Sequence, residues 1–293
     1  MADAPDDPQG LAVHPDRFSG HLEALLASGR PVVDLADLAN AVSRGRIPRG
    51  AVAISFDDGY ADNLSNAVPR LAGTGLPATV FVASGWVGTR RMAWWDELAL
   101  QLLATPTAPA TFVGAGRSWA TGSPAERGET YRVLLEESAG MAAPARDALL
   151  EELRAWAGRD GAAGEDMRAL SDAELIELSG RPGITIGAHT RHHPSLARRP
   201  PAEQAAELRA GREDLADRLG SAPALFAYPF GARGRDYDHT TVRAVAAAGF
   251  VAAVATDPGP VSRLSPRLEL PRILIGDLEP EAFAARLRRA FAL

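Results

Sequence analysis

The sequence predicts an α/β domain, either a (β/α) barrel or an open doubly wound sheet, and three observations carry that expectation. Short runs rich in β-branched residues alternate with amphipathic helical patterns at both ends of the 293-residue chain. The helical patterns stop at glycines such as Gly29, Gly45, Gly220 and Gly249, as helices do. The chemically distinctive residues (Asp57, Asp58, His189, His193, Phe230) follow the C-terminal ends of predicted strands, where such folds place their chemistry.

In chain order, residues 16–28 have helical periodicity and close on Gly29, and a short extended Pro31-Val-Val leads into a helix stopped by Gly45. A strand over 51–56, a helix over 62–73 and a strand over 78–84 make a βαβ unit, which implies parallel strands and a right-handed crossover. The rhythm resumes with strand 184–188, a helix over about 202–219, strand 224–228 and a helix over about 238–248. Strands 250–255 and 268–275 and a terminal helix over 280–291 complete the series, with Pro271 marking 268–275 as an edge or bulge.

Residues 86–182 break this rhythm. They hold three amphipathic helical stretches (94–104, 124–138 and 144–158) and a small hairpin over 111–121 turning at Gly114–Arg117. We read them as a helical insertion within a single domain spanning 1–293. Ser171-Asp-Ala-Glu174 is a capping box that opens a helix returning the chain to the core. The tryptophans Trp94, Trp95 and Trp119 suit either sugar contact or core packing.

Two segments carry chemistry. AVAISFDDGY, residues 51–60, is an apolar strand ending in two adjacent carboxylates and a glycine. Unpaired charge at a strand end is costly, so the pair points to a metal or substrate, against the plainer reading of an Asp-Gly turn. ITIGAHTRHH, residues 184–193, runs into a cluster with His189 and His193 four apart. That spacing brings two imidazoles onto one face in helical or tight-turn geometry. Two histidines and one aspartate suit Zn²⁺ with an open position for water, and the second aspartate is left over as a base. His192 reads as a supporting or surface residue, and Thr190 as a residue that fixes the loop by hydrogen bonding.

Composition narrows the rest. The formal net charge of −6 and the lack of a basic run argue against a nucleic-acid partner. Cysteine is absent, excluding disulfides and thiolate ligands, and lysine is absent, excluding Schiff-base chemistry on that side chain. The acidic, proline-rich start has no apolar core of a signal peptide, and no run of 18 apolar residues occurs; the expected location is cytoplasmic.

SFDDGYADN, GAHTRHHPSL and AYPFG, in that order, resemble the polysaccharide deacetylase family (NodB homology, carbohydrate esterase family 4), and the Tyr-Pro-Phe-Gly form resembles one of its branches. Residues 16–92 and 171–290 carry the resemblance, including LPATVFV, AAGFVAAVAT and LPRILI. It implies an irregular (β/α) barrel of the deacetylase type and a metal-dependent carbohydrate N-deacetylase. Asp57 would be the catalytic base, and Asp58, His189 and His193 the ligands of one divalent transition metal. Zn²⁺ is the expected ion, although the ligand set also suits Co²⁺, Ni²⁺ or Fe²⁺. Tyr228, Pro229, Phe230 and Gly231 would line one side of the substrate groove, with the Phe230 backbone N–H at the oxyanion.

Three departures stand beside the resemblance. The arginine that usually precedes the third motif's proline by two residues is here Ala227, and Arg272 is the candidate replacement as partner of Asp57. The usual Leu-x-His is missing from LPRILI, leaving the general acid to His192, His239 or a water on the metal. The usual first strand, ending in Tyr-His, is absent before residue 11, so the barrel is expected to be incomplete there. The expected substrate is an acetylated amino sugar in a glycan or glycoconjugate precursor, on a lipid or nucleotide carrier. The alternatives are an amidohydrolase acting on a small amide or cyclic ureide, and a catalytically silent carbohydrate-binding protein.

Overall fold

The computed structural model describes residues 7–105, 108–160 and 164–291; the first six residues of the acidic start lie outside the described residues. Five parallel strands form one sheet: β1 (Ile54–Phe56), β2 (Ala78–Val82), β5 (Ile184–Ala188), β6 (Leu225–Ala227) and β7 (Ala252–Val254), neighbours in that order. Each strand lies beside the one before it, with no reversal of direction around the sheet. A doubly wound sheet has such a reversal, so the arrangement is a curled half-barrel instead. Phe81, Leu225, Ala227, Val254 and Leu270 fill the concave side, and helix α2 (Leu35–Ser43) packs its Leu35 and Leu38 against them.

The expected sixth strand, 268–275, does not form. It reduces to one parallel bridge, Val254 to Leu270, held by the Leu270 N–H to Ala253 O and the Ala255 N–H to Leu270 O. Pro271 has no N–H to extend the ladder. At the opposite edge the extended Pro31-Val-Val likewise contributes a single bridge, Val32 to Val52. The barrel is therefore left with a seam between β1 and the 270–275 segment.

Helices cover the outer face. α1 (Pro15–Ala27), α3 (Val68–Thr74) and α10 (Pro280–Ala290) bury Phe18, Leu22, Leu71 and Phe283 against one side of the sheet. α7 (Asp172–Ser179), α8 (Pro201–Leu219) and α9 (His239–Ala247) bury Leu175, Leu208, Leu215 and Val245 against the same face farther along, toward β6 and β7. The Ser171–Glu174 capping box is formed in full. The helix expected over 62–73 opens with a wider π-type turn, Asn63–Ala67, and ends at Gly75, whose left-handed φ of 69° closes it.

The 86–182 segment holds α4 (Trp94–Leu103), the antiparallel hairpin β3 (Thr111–Gly114) and β4 (Arg117–Ala120), α5 (Pro124–Ala139) and α6 (Ala143–Ala157). These elements enclose their own apolar cluster, in which Leu98, Leu102, Leu134 and Leu153 are fully buried. Glu97, almost fully buried, pairs with Arg154 and ties α4 to α6. The same cluster reaches Tyr60, Trp86 and Phe230, so one wall of the segment borders the strand ends.

Candidate active site and metal centre

Because the strands are parallel, the loops after β1, β5 and β6 emerge at one end of the sheet. Sheet hydrogen bonding continues into them: the His189 N–H donates to Val82 O at 3.0 Å and the Tyr228 N–H to Val254 O at 3.1 Å. Four residues of these loops, Asp58 (φ 76°), Thr190 (φ 64°), His193 (φ 54°) and Phe230 (φ 59°), adopt the left-handed conformation. Only two other non-glycine residues among those described do so, Arg90 and Ala115. Backbone strain of this kind persists where the surroundings hold it in place, and here it concentrates at one site.

Asp58, His189 and His193 converge. Their donor atoms lie within 4.8 Å of one another, and Asp58 Oδ1 is 3.4 Å from both imidazole Nε2 atoms. Two donors each bound at about 2.1 Å to a tetrahedral centre sit about 3.4 Å apart, so the trio fits a zinc-sized cation. Asp58 Oδ1 is buried without a hydrogen-bond partner, an arrangement a cation would satisfy. His189 Nδ1 donates to Ala227 O at 2.7 Å, which leaves the Nε2 lone pair free to ligate. Thr190 braces the loop: its hydroxyl donates to His189 O at 2.5 Å and accepts the His193 N–H at 3.0 Å. Trp95 lies against His193 with ring centres 4.4 Å apart, and Phe230 lies 4.9 Å away on another side. Burial, the largest cause, pushes the His193 imidazole well below its usual value, keeping it neutral as a ligand must be. Burial pushes the Asp58 carboxyl up despite the opposing pull of His189, as expected for a carboxylate whose charge is incompletely compensated.

Asp57 is held differently. Arg272 forks onto it, Nη1 to Oδ1 and Nη2 to Oδ2, both at 2.7 Å. Arg272 is itself fixed by Ser55 Oγ and Ala255 O, each at 3.2 Å. The arginine thus reaches Asp57 across the seam from the segment whose strand is missing. Burial alone would raise the Asp57 carboxyl, but the Arg272 and His189 charges outweigh it and hold the group below the usual carboxylate range.

The four residues of the Tyr-Pro-Phe-Gly motif are placed unequally. Phe230 lines the cavity beside the histidines, and its carbonyl accepts from Thr256 Oγ1 at 2.6 Å. Tyr228 is 1% exposed, stacks on Tyr237 and donates to Leu268 O at 2.8 Å. Its ring is core, so the expectation that it borders substrate is corrected. Pro229 and Gly231 shape the turn and do not line the cavity. His192 turns toward α8, where Nδ1 meets Glu207 Oε1 at 2.7 Å, and it lies outside the cavity. His239, at the start of α9, approaches Arg233 and is likewise outside. Trp94 and Trp95 are buried, while Trp119 sits on the hairpin with Nε1 donating to Gly114 O.

Sequence reasoning passed over three residues. Tyr60 donates to Asp96 Oδ2 at 2.5 Å, and both line the cavity. Arg146, buried on α6, donates to His192 O at 2.5 Å and holds the ligand loop from the far side. Asp96 reads in the sequence like any acidic residue in the first turn of a helix, and Arg146 carries no signal because its contact depends on how α6 docks. The cavity, about 810 Å³, opens at the donor trio and runs along the seam past Arg272 to apolar residues such as Leu38, Ile275 and Leu287.

The comparisons agree with this architecture. Over its full length the chain resembles the Streptococcus pyogenes deacetylase PplD in complex with acetate (TM-score 0.63, 19% identity, 93% of that chain covered). IcaB from Ammonifex degensii matches 96% of this chain and 91% of its own at a TM-score of 0.61 and 18% identity. A de-N-acetylase from Aggregatibacter actinomycetemcomitans matches 94% of this chain and 89% of its own at a TM-score of 0.57 and 15% identity. Among curated proteins no relative matches significantly. No helix among the described residues is long and apolar enough to cross a membrane. The family model for polysaccharide deacetylase matches residues 44–253, more than half of the sequence, and spans both the aspartate and the histidine motifs. The chain therefore belongs to the polysaccharide deacetylase family and is a carbohydrate N-deacetylase.

Proposed function

We propose that this protein removes the N-acetyl group from an amino sugar in a glycan or glycoconjugate precursor, with one divalent cation, Zn²⁺ by preference, held by Asp58, His189 and His193. The observation that carries the reading is the pairing of a buried, unpartnered Asp58 Oδ1 between two imidazoles with an adjacent aspartate held ionised by Arg272. A bound cation would polarise the amide carbonyl and acidify water at this position.

The chain's own residues divide the remaining work. Asp57, ionised at neutral pH, accepts the proton of the attacking water. Arg272 keeps that carboxylate oriented and charged. Phe230, whose carbonyl is held by Thr256, offers its backbone N–H to the developing oxyanion, and the rings of Trp95 and Phe230 limit water around His193. The test is acetate release from N-acetylated chitooligosaccharides by zinc-supplemented protein, with small amides and cyclic ureides assayed in parallel. Acetate from the sugars alone supports the reading. Turnover of the ureides alone, or sugar binding without hydrolysis, refutes it.

A further inference from the structure

Cleaving the amide requires a proton for the departing nitrogen, and the residues placed so far supply none. LPRILI lacks the usual histidine, and its Arg272 is committed to Asp57. His192 and His239 lie outside the cavity, on Glu207 and beside Arg233. Of the ionisable side chains that line the cavity, His21 donates to Leu278 O and stacks on Phe283, within the α1–α10 contact and away from the donor trio. Asp96 is different: it lines the cavity on α4, next to the tryptophan that covers His193.

We propose that Asp96 is the general acid of the reaction. The inference rests on the N-deacetylase reading. Asp57 takes a proton from water as the water oxygen bonds to the carbonyl carbon. As the C–N bond breaks, its electron pair goes to nitrogen and the Asp96 carboxyl proton passes to that nitrogen. Acetic acid and the free amine leave, and the acid ionises to acetate in solution; Asp57 then gives its proton to solvent and Asp96 regains one.

Three features support the assignment. Base and acid come from different walls: Asp57 is gripped by the 270–275 segment, whereas Asp96 projects from the insertion. Tyr60 occupies Oδ2 at 2.5 Å, which fixes the carboxyl and leaves Oδ1 to carry the proton. The electrostatic setting suits an acid. Burial raises the Asp96 carboxyl, the Tyr60 hydroxyl pulls it back, and Asp58 and Asp7 raise it again, to about 7. Tyr131 on α5 also faces it and carries no charge at neutral pH, its phenol being pushed up to about 12 by burial. A cation on Asp58 would offset that carboxylate's contribution and leave burial, the largest cause, in place. A group titrating near neutral pH is well matched to proton donation.

Asp96→Asn, with metal content verified, is expected to lose about 100-fold or more in kcat/KM on acetylated chitooligosaccharides. The alkaline limb of its pH profile should disappear, and Asp96→Glu should restore part of both. Tyr60→Phe tests the point without touching the acid: removing a hydrogen bond that lowers the group should move the alkaline limb to higher pH. Carboxyl-carbon NMR of aspartate-labelled protein, metal-free and metal-loaded, should show a resonance titrating near neutral pH that vanishes in Asp96→Asn. A loss below tenfold in Asp96→Asn, an alkaline limb unmoved in both variants, or no such resonance would overturn the assignment. Wild-type protein that holds the cation yet releases no acetate fails the N-deacetylase reading itself, and the assignment falls with it.

Discussion

Replacing Arg272 by methionine keeps the volume of the side chain and removes both hydrogen bonds to Asp57. The two groups are 17% and 29% exposed, so the pair is largely but not wholly desolvated. Breaking a fully buried ion pair costs about 3–5 kcal/mol, and partial exposure places this one lower, at about 2–3 kcal/mol. At about 2–4 °C per kcal/mol for a chain of this size, the melting temperature at pH 7 should fall by about 4–12 °C. The sign with pH follows from the direction of the shift. Asp57 sits below its unfolded value in the native protein, so the pair's contribution is complete above about pH 4 and fades as pH drops through the folded value. The difference between wild type and variant should therefore shrink in acid. In the variant, burial is left as the main influence on Asp57, so the acidic limb of kcat/KM moves to higher pH. Arg272→Lys keeps the charge without the fork and should fall between the two. Calorimetry at pH 7 and below pH 4, with a pH–rate profile of acetate release, reads every part of this. A melting temperature within about 1 °C of wild type together with an unmoved acidic limb would refute the reasoning.

Other predictions follow from the same geometry. Elemental analysis of Asp58→Ala and His189→Ala should find the metal lost, while His192→Ala keeps it because His192 is engaged by Glu207. Zinc at 100 times its dissociation constant should stabilise the wild type by about 2.7 kcal/mol, and a chelator should reverse the gain. His189→Ala should show no such response. Gly211 on α8 lies under the ligand loop, where an added Cβ would sit 2.6 Å from the Thr190 carbonyl carbon and 2.8 Å from its oxygen. Gly211→Ala should therefore lower both the melting temperature and zinc affinity. Gly73→Ala, in α3 with nothing within 4 Å, should raise stability by up to about 1 kcal/mol; equal effects of the two changes would contradict the close-approach argument.

Much of the fold is legible because period and punctuation agree along most of the chain. ITIGA is a strand to the residue, and the Ser171 and Gly220 ends of the helices fall where the caps place them. The 268–275 run misleads because its residues favour extended backbone, while Pro271 removes a donor that a ladder needs. The segment is useful, since it delivers Arg272, but it is not a strand. Tyr228 misleads in another way: a motif names neighbours in sequence, and its ring points into the core while the next but one residue reaches the cavity. The π-type turn after Asp62 leaves no trace in apolar spacing. Asp57, Asp58, His189 and His193 stood out because ionisable residues at strand ends are uncommon without a task. Asp96 did not, because acidic residues in the first turn of a helix are ordinary, and only packing against Tyr60 sets this one apart.

The most direct test of the central claim is acetate release from N-acetylated chitooligosaccharides by wild-type protein and Asp57→Asn, with metal content measured on the same samples. The account predicts about one equivalent of metal in both proteins, acetate from the wild type, and a loss of at least 100-fold in the variant. Equal acetate release by the two, or none from metal-loaded wild type, would contradict it.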